Sequence, residues 1–265
     1  MKKIFVGTDM EGCAGVVSFQ DQSYPTGRYY DQGKRIVTAE INAAVDGMLE
    51  TGVEDILVWD GHGAGAIWFE DLHSAAKLLH GRPSPTRAVL DSVVSDYEAC
   101  VMLGQHAMAG IQMSNQNHTQ SSQTIDYYKL NGQLIGEIAQ FALYMGDLGL
   151  PLIFLCGEEA ACREAEALVP GIVTASVKKG LGRGSAISVS AREAHRRIRE
   201  GIRKAVENHR DHPIAPLVWD GPFVLEKRFF HTDNADAAAG QAGAERVDGQ
   251  TVRFRSDRIR DIIYR

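Results

Sequence analysis

The chain has 265 residues, 44% of them hydrophobic, and a formal net charge of −6. That length and apolar content allow one large domain or a core with a smaller lobe, while the acidic balance argues against nucleic acid as a partner. No segment approaches the ~18 apolar residues of a membrane span, and the first apolar run is too short for a signal peptide. We therefore expect a cytoplasmic protein with no membrane partner.

The first 60 residues alternate between strand and helix patterns. Residues 3–8 form an apolar run typical of a buried strand, and residues 21–33 are polar and predict a loop. Residues 37–49 follow helical spacing, and residues 54–60 form a second apolar run. The order strand, helix, strand predicts a parallel βαβ unit.

The rest of the chain continues this alternation. We predict strands at residues 99–104, 125–130, 151–156, 217–219, 223–228 and 251–254, and helices at residues 134–145, 158–168, behind Ser190, and at the end of the chain. Asn131-Gly132 is a tight-turn signal. Residues 110–123 lack periodicity and predict a loop, which we expect near a functional site. Residues 235–249 are rich in Ala and Gly and weakly specified.

These patterns predict an α/β protein with a three-layer α/β/α core and a mainly parallel sheet. We assign residues 1–185 to this core. We assign residues 186–265 to a smaller α+β lobe used in packing or oligomerisation.

Several of the apolar runs lead into residues that can bind a metal. The candidates are Asp9, Glu11, His62, His106 and Glu137. Because α/β sheets place their sites beyond the carboxyl ends of the strands, these side chains are expected to converge. Two histidines and three carboxylates form a mixed nitrogen and oxygen donor set that suits zinc or a similar divalent ion. The pattern points to a metal-dependent hydrolase.

Each candidate has a second interpretation when it is considered alone. A lone Asp-x-Glu is more often a solvated strand end, His62 could be an ordinary turn histidine, and His106 could be a satisfied residue near the core. Because residues i and i+2 of a strand share a face, Asp9 and Glu11 could reach one cation, and Asp9 could bridge two. The metal hypothesis depends on their co-occurrence at successive strand ends.

Two further polar residues lie close to these candidates in sequence. Asp60 could form a hydrogen bond that orients a metal-binding side chain, or it could simply cap the turn that follows it. His118, in the predicted site loop, could exchange protons with a reacting group because an unperturbed histidine titrates near neutrality. Alone, His118 is better explained as a histidine of a surface loop.

Together these stretches resemble the D-aminopeptidase family, the metallopeptidases of dipeptide-transport operons. The resemblance runs in order over residues 1–185. The motifs that carry it are Asp9-Met10-Glu11-Gly12, Asp60-Gly61-His62, Leu103-Gly104-Gln105-His106-Ala107, His118-Thr119, and Asn131-Gly132 with Gly136-Glu137.

The resemblance implies two zinc ions per chain, held by Asp9, Glu11, His62, His106 and Glu137. It further implies that Asp9 bridges the ions, that His118 is the catalytic histidine, and that the chain forms a ring-shaped homo-oligomer, a decamer in the best-known member. The implied reaction is hydrolysis of the amide bond after a free, D-configured amino-terminal residue in short peptides or aminoacyl amides. Two alternatives are a metal amidase for another small amide and a non-catalytic, metal-stabilised oligomer.

Overall fold

The computed structural model describes residues 1–265 and contains two sheets. The strands are β1 (Lys3–Thr8), β2 (Asp55–Asp60), β3 (Ala76–Leu79), β4 (Ala99–Gln105), β5 (Ile125–Leu130), β6 (Gln133–Ile135), β7 (Leu152–Glu158), β8 (Val173–Gly182), β9 (Ser185–Ser188), β10 (Phe223–Phe229), β11 (Glu245–Arg246) and β12 (Thr251–Ser256). The central sheet has the order β3-β2-β1-β4-β7-β8-β9 and is parallel except for the β8–β9 pair. The predicted α/β class with a mainly parallel sheet is therefore confirmed.

Helices cover both faces of the central sheet. They are α1 (Tyr30–Glu50), α2 (Arg87–Val94), α3 (Glu137–Asp147), α4 (Glu159–Leu168), α5 (Ala191–Asp211), α6 (Thr232–Ala239) and α7 (Ile259–Ile262). Successive residues of a strand point to opposite faces. Accordingly, Ile4 and Val6 pack in a core with α1 and α5, while Phe5 packs on the other side with α3 and the second sheet. None of the helices is long and apolar enough to cross a membrane.

The second sheet is antiparallel and has the order β11-β12-β10-β5-β6. It joins strands from both sides of residue 185, since β5 pairs directly with β10. Helix α5, from the later segment, packs in the same core as α1. The division into residues 1–185 and 186–265 stays a prediction, and the two segments share a sheet and a core.

The strand order creates a crevice between β1 and β4. From β1 the chain proceeds to β2 and β3 on one side, and then to β4, β7 and β8 on the other side. In open α/β sheets, ligands bind where the order reverses in this way, beyond the carboxyl ends of the strands. Asp9 follows β1 and His106 follows β4, so two candidate ligands flank this crevice.

Three local predictions were wrong. Helix α1 begins at Tyr30 within the predicted loop, where Gly33 packs against Met10. Residues 134–135 belong to β6, because the turn at Asn131-Gly132 pairs them with β5. Residues 217–219 form no strand, and the Leu217 carbonyl lies against Gly146 of α3 instead.

Candidate metal centre

The loop after β1 is held against the end of β4 by backbone contacts. The Asp9 amide donates to the Leu103 carbonyl at 2.8 Å, and the Gly12 amide donates to the Gly104 carbonyl at 2.8 Å. A Cβ at Gly12 would lie 1.9 Å from the Gln105 carbonyl oxygen. The motif therefore needs glycine at position 12, because no side chain fits between the loop and the strand.

Asp9 lies between two histidines from different strand ends. Its Oδ1 lies 3.1 Å from Nδ1 of His62, and its Oδ2 lies 3.1 Å from Nε2 of His106. Oε2 of Glu11 also lies 3.1 Å from Nδ1 of His62. The Asp9 carboxylate thus faces two separate donor groups, the first containing Glu11 and His62 and the second containing His106. This is the geometry that a bridging ligand requires.

The second donor group is completed by residues outside the central sheet. Oε1 of Glu137, at the start of α3, lies 3.6 Å from Nε2 of His106 and 3.7 Å from Nε2 of His118. The rings of His106 and His118 are stacked, with centroids 4.0 Å apart. Donor atoms of His106, His118 and Glu137 all lie within 4.8 Å of one another, as do those of Asp9, Glu11 and His106.

Backbone carbonyls orient all three histidines. Nε2 of His62 lies 2.9 Å from the Ser23 carbonyl, Nδ1 of His106 lies 3.0 Å from that of Ala107, and Nδ1 of His118 lies 2.9 Å from that of Gln116. In a neutral imidazole, the nitrogen that donates to the carbonyl is the protonated one, so the opposite nitrogen carries the lone pair. In each ring that opposite nitrogen faces the carboxylates, as metal-binding histidines require.

The donor set fits a divalent metal. Oε2 of Glu11 and Nε2 of His106 are buried and have no hydrogen-bond partner. Buried polar atoms are rarely left without a partner, because desolvation of such an atom costs about 1–3 kcal/mol. Imidazole nitrogens with carboxylate oxygens are a donor set that zinc accepts.

Burial and mutual charge shift the titration of these groups. Burial opposes ionisation of Asp9, but the adjacent rings of His106 and His62 hold its pKa well below the usual value. Burial raises the pKa of Glu137 to about 7. Burial lowers the pKa of His118 to about 3, together with the charge that a protonated His106 carries when no metal is bound.

A cavity of about 690 Å³ opens onto these groups. Five of the six residues predicted from the sequence line it: Asp9, Glu11, His62, His118 and Glu137. The sixth, His106, lies directly behind them with 1% of its surface exposed. The structure therefore brings all six together. Their individual roles stay predictions.

Asp60 lies outside the cluster. Its carboxylate accepts from the backbone amides of Ala66 and Ile67, so it caps the turn after β2. The sequence analysis assigned no role to the buried Lys178, whose ammonium donates to the carbonyls of Glu11 and Val16. The signal was a lysine directly after the apolar residue Val177 within a strand.

Known proteins resemble this chain over nearly its whole length. The peptidase M55 family model, described as D-aminopeptidase, matches residues 1–264, well past residue 185 where the recognised motifs end. A D-aminopeptidase from Bacillus subtilis (strain 168) is 28% identical over 253 residues, which cover 94% of this chain and 89% of the relative. A solved structure, the Zn-dependent D-aminopeptidase DppA from Bacillus subtilis, described as a self-compartmentalizing protease, superposes with a TM-score of 0.88 at 26% identity. That superposition covers 97% of this chain and 92% of the solved one. The chain therefore belongs to the D-aminopeptidase family of M55 peptidases.

Proposed function

We propose that this protein is a zinc-dependent aminopeptidase that hydrolyses the amide bond after a free, D-configured amino-terminal residue. The observation that carries the proposal is the position of Asp9, whose two oxygens face separate donor groups at the crevice between β1 and β4. Family membership and the names of the relatives support the reaction and the metal.

The two donor groups would hold two zinc ions. We assign Asp9, Glu11 and His62 to one ion, and Asp9, His106 and Glu137 to the other. The unpartnered Glu11 Oε2 and His106 Nε2 support this assignment. Zinc bound at these positions would lower the pKa of a water molecule and polarise the scissile carbonyl.

His118 would move the proton in this reaction. Its Nδ1 is held by the Gln116 carbonyl, which leaves Nε2 as an acceptor facing the site. Nε2 can take a proton from the attacking water and give it to the leaving nitrogen. The ring stays in place through its stack on His106 and its edge contact with Phe19, whose centroid lies 5.4 Å away.

Glu137 is held by a residue of the loop that carries His118. The Gln120 amide donates to its Oε1 at 2.6 Å. This contact ties the start of α3 to the loop that carries His118. Both the carboxylate and the histidine are therefore fixed relative to the substrate before it binds.

We also propose a homo-oligomer, with a decamer as the expected size. The solved relative is described as self-compartmentalizing. Large apolar side chains of this chain are exposed, including Phe69 at 64%, Val218 at 62% and Ile187 at 60%. Neighbouring subunits would bury such side chains, and closed symmetry is the usual outcome for homo-oligomers.

A hydrolysis screen with zinc-loaded protein tests the reaction. D- and L-configured aminoacyl amides and dipeptides are compared with their N-acetylated forms. We expect turnover of the free D-configured substrates and none of the acetylated ones. Equal cleavage of free and acetylated substrates would favour a general amidase, and a preference for L-residues would overturn only the stereochemical assignment.

A further inference from the structure

The cavity at the metal centre has two unlike walls. One wall is polar and comes from two loops, including Tyr24, Thr26 and residues 120–123. The other wall is apolar and lies between the central sheet, α3 and the end of the chain. We call it the apolar recess, and its side chains are Trp59, Met102, Phe141, Tyr144, Met145 and Tyr264.

The apolar recess runs from Tyr264, which is 38% exposed, into the protein core. Met102 is 4% exposed, Phe141 3% and Met145 1%, although all three line the cavity. Core side chains therefore form the inner wall of the recess, and its outer wall reaches the surface at Tyr264.

The floor of the recess is formed where β1 contacts α3. A Cβ at Gly7 would lie 2.7 Å from Cε2 of Phe141. The absence of a side chain at Gly7 therefore lets the Phe141 ring lie against β1. Phe141 in turn stacks on Phe5 with ring centroids 6.3 Å apart, so its ring is fixed from the side of the sheet.

Polar contacts fix the outer wall of the recess. The Tyr144 hydroxyl donates to Asp91 of α2, and Arg260 of α7 pairs with the same Asp91. Nε2 of Gln140 donates to the Ile263 carbonyl at 2.8 Å, next to Tyr264. Helices α2, α3 and α7 are therefore connected, and the wall has a defined shape.

Few charged side chains line the cavity. They are the metal-site residues and Arg87, and Arg87 pairs with Asp261 at 3.2 Å. The six side chains of the recess carry no charge at neutral pH. An ammonium or carboxylate in the recess would lose its hydration without gaining a partner, whereas an apolar group would gain by burial.

We propose that the apolar recess binds the side chain of the substrate's amino-terminal residue, so that the preferred substrates carry an aromatic or long aliphatic side chain at that residue. This inference rests on the proposed function of the metal centre. The cavity volume of about 690 Å³ falls within the ~300–1,000 Å³ of pockets that enclose drug-sized ligands. A peptide of two alanines would leave much of it unfilled.

A substrate series tests the proposal with the zinc-loaded protein. We expect kcat/KM to rise from D-alanine amide through D-leucine amide to D-phenylalanine amide, by about 10- to 100-fold overall, because each buried methylene contributes about fourfold. Met102→Phe fills the recess and should reduce the ratio of phenylalanine to alanine turnover at least tenfold. Leu49→Phe, at a partly exposed position on α1, is the matched control and should leave the ratio unchanged.

Binding measurements separate this inference from the reaction itself. Calorimetry measures the affinities of the non-hydrolysable amino alcohols D-phenylalaninol and D-alaninol for the wild-type protein and for Met102→Phe. Tighter binding of phenylalaninol that Met102→Phe abolishes would support the recess even if no amide were hydrolysed. Hydrolysis with alanine amide as the best substrate, and equal affinity for both alcohols, would overturn the recess and leave the proposed reaction standing.

Discussion

The ammonium of Lys178 donates to the backbone carbonyl of Glu11 and so anchors the loop that carries two of the five candidate metal ligands. Lys178 is 1% exposed, and its Nζ also donates to the Val16 carbonyl at 2.5 Å. Both ends of the loop after β1 are therefore tied to β8. A buried cation determines the path of the backbone at the metal centre.

Replacing this lysine should loosen the loop. Lys178→Met should lower the free energy of unfolding by about 2–6 kcal/mol, because two buried carbonyls lose donors at about 1–3 kcal/mol each. Zinc affinity should fall as well, since Glu11 is no longer positioned. Denaturant unfolding and metal titration measure the two effects. Lys179→Met, at the exposed neighbouring position, is the control, and equal behaviour of the two variants would contradict the anchoring role.

Asp9→Ala should remove metal from both donor groups, because its two oxygens face different histidines. We expect elemental analysis to find two zinc ions per wild-type chain and fewer than one in the variant. Asp31→Ala, on the exposed side of α1, should keep the wild-type content. A variant at position 9 that retained both ions would show that Asp9 does not bridge them.

His118→Ala should keep its zinc while losing turnover by about 10²–10⁴-fold, the usual effect of removing an acid–base group. His212→Ala, at an exposed position, serves as the control. Nε2 of His118 lies 3.7 Å from Glu137, so the residue is also placed to act as a ligand. Loss of zinc from the variant would assign it that role, and wild-type turnover would make it a bystander.

Glu40 should make folding stability depend on pH. Burial raises its pKa from 4.5 to about 7. Because the folded-state pKa is the higher one, the contribution to stability is fully present below pH 4.5 and falls as the pH rises through 7. Glu40→Gln should flatten this fall in denaturant midpoints measured between these values. Glu70→Gln, at an exposed site, should leave the slope unchanged, and an unchanged slope in Glu40→Gln would disprove the assignment.

The assembly can be measured by light scattering. One chain has a mass of 29.0 kDa, and we expect a mass near ten times that value. A smaller closed ring would retain the proposed self-association and correct only the number of subunits. A mass near that of a single chain would contradict self-association altogether.

Much of the fold follows from local pattern alone. The apolar run that became β1 has the predicted bounds, and the helix predicted behind Ser190 is α5, whose first turn is capped where the Ser190 side chain accepts from the Glu193 amide. Apolar periodicity and capping act over a few residues, so they are visible in the sequence. They also placed Asp9 and His106 directly after strands.

What the sequence alone determined was the set of residues that could bind a metal, because donor chemistry belongs to the side chain itself. Which donors meet was decided by the tertiary structure. The strand order sets β1 beside β4 and so brings Asp9 to within 3.1 Å of His106, although they are far apart in the chain. The anchor at Lys178 and the apolar recess likewise depend on contacts between distant segments. Sequence periodicity carries no information about such contacts, because they arise only when the layers pack.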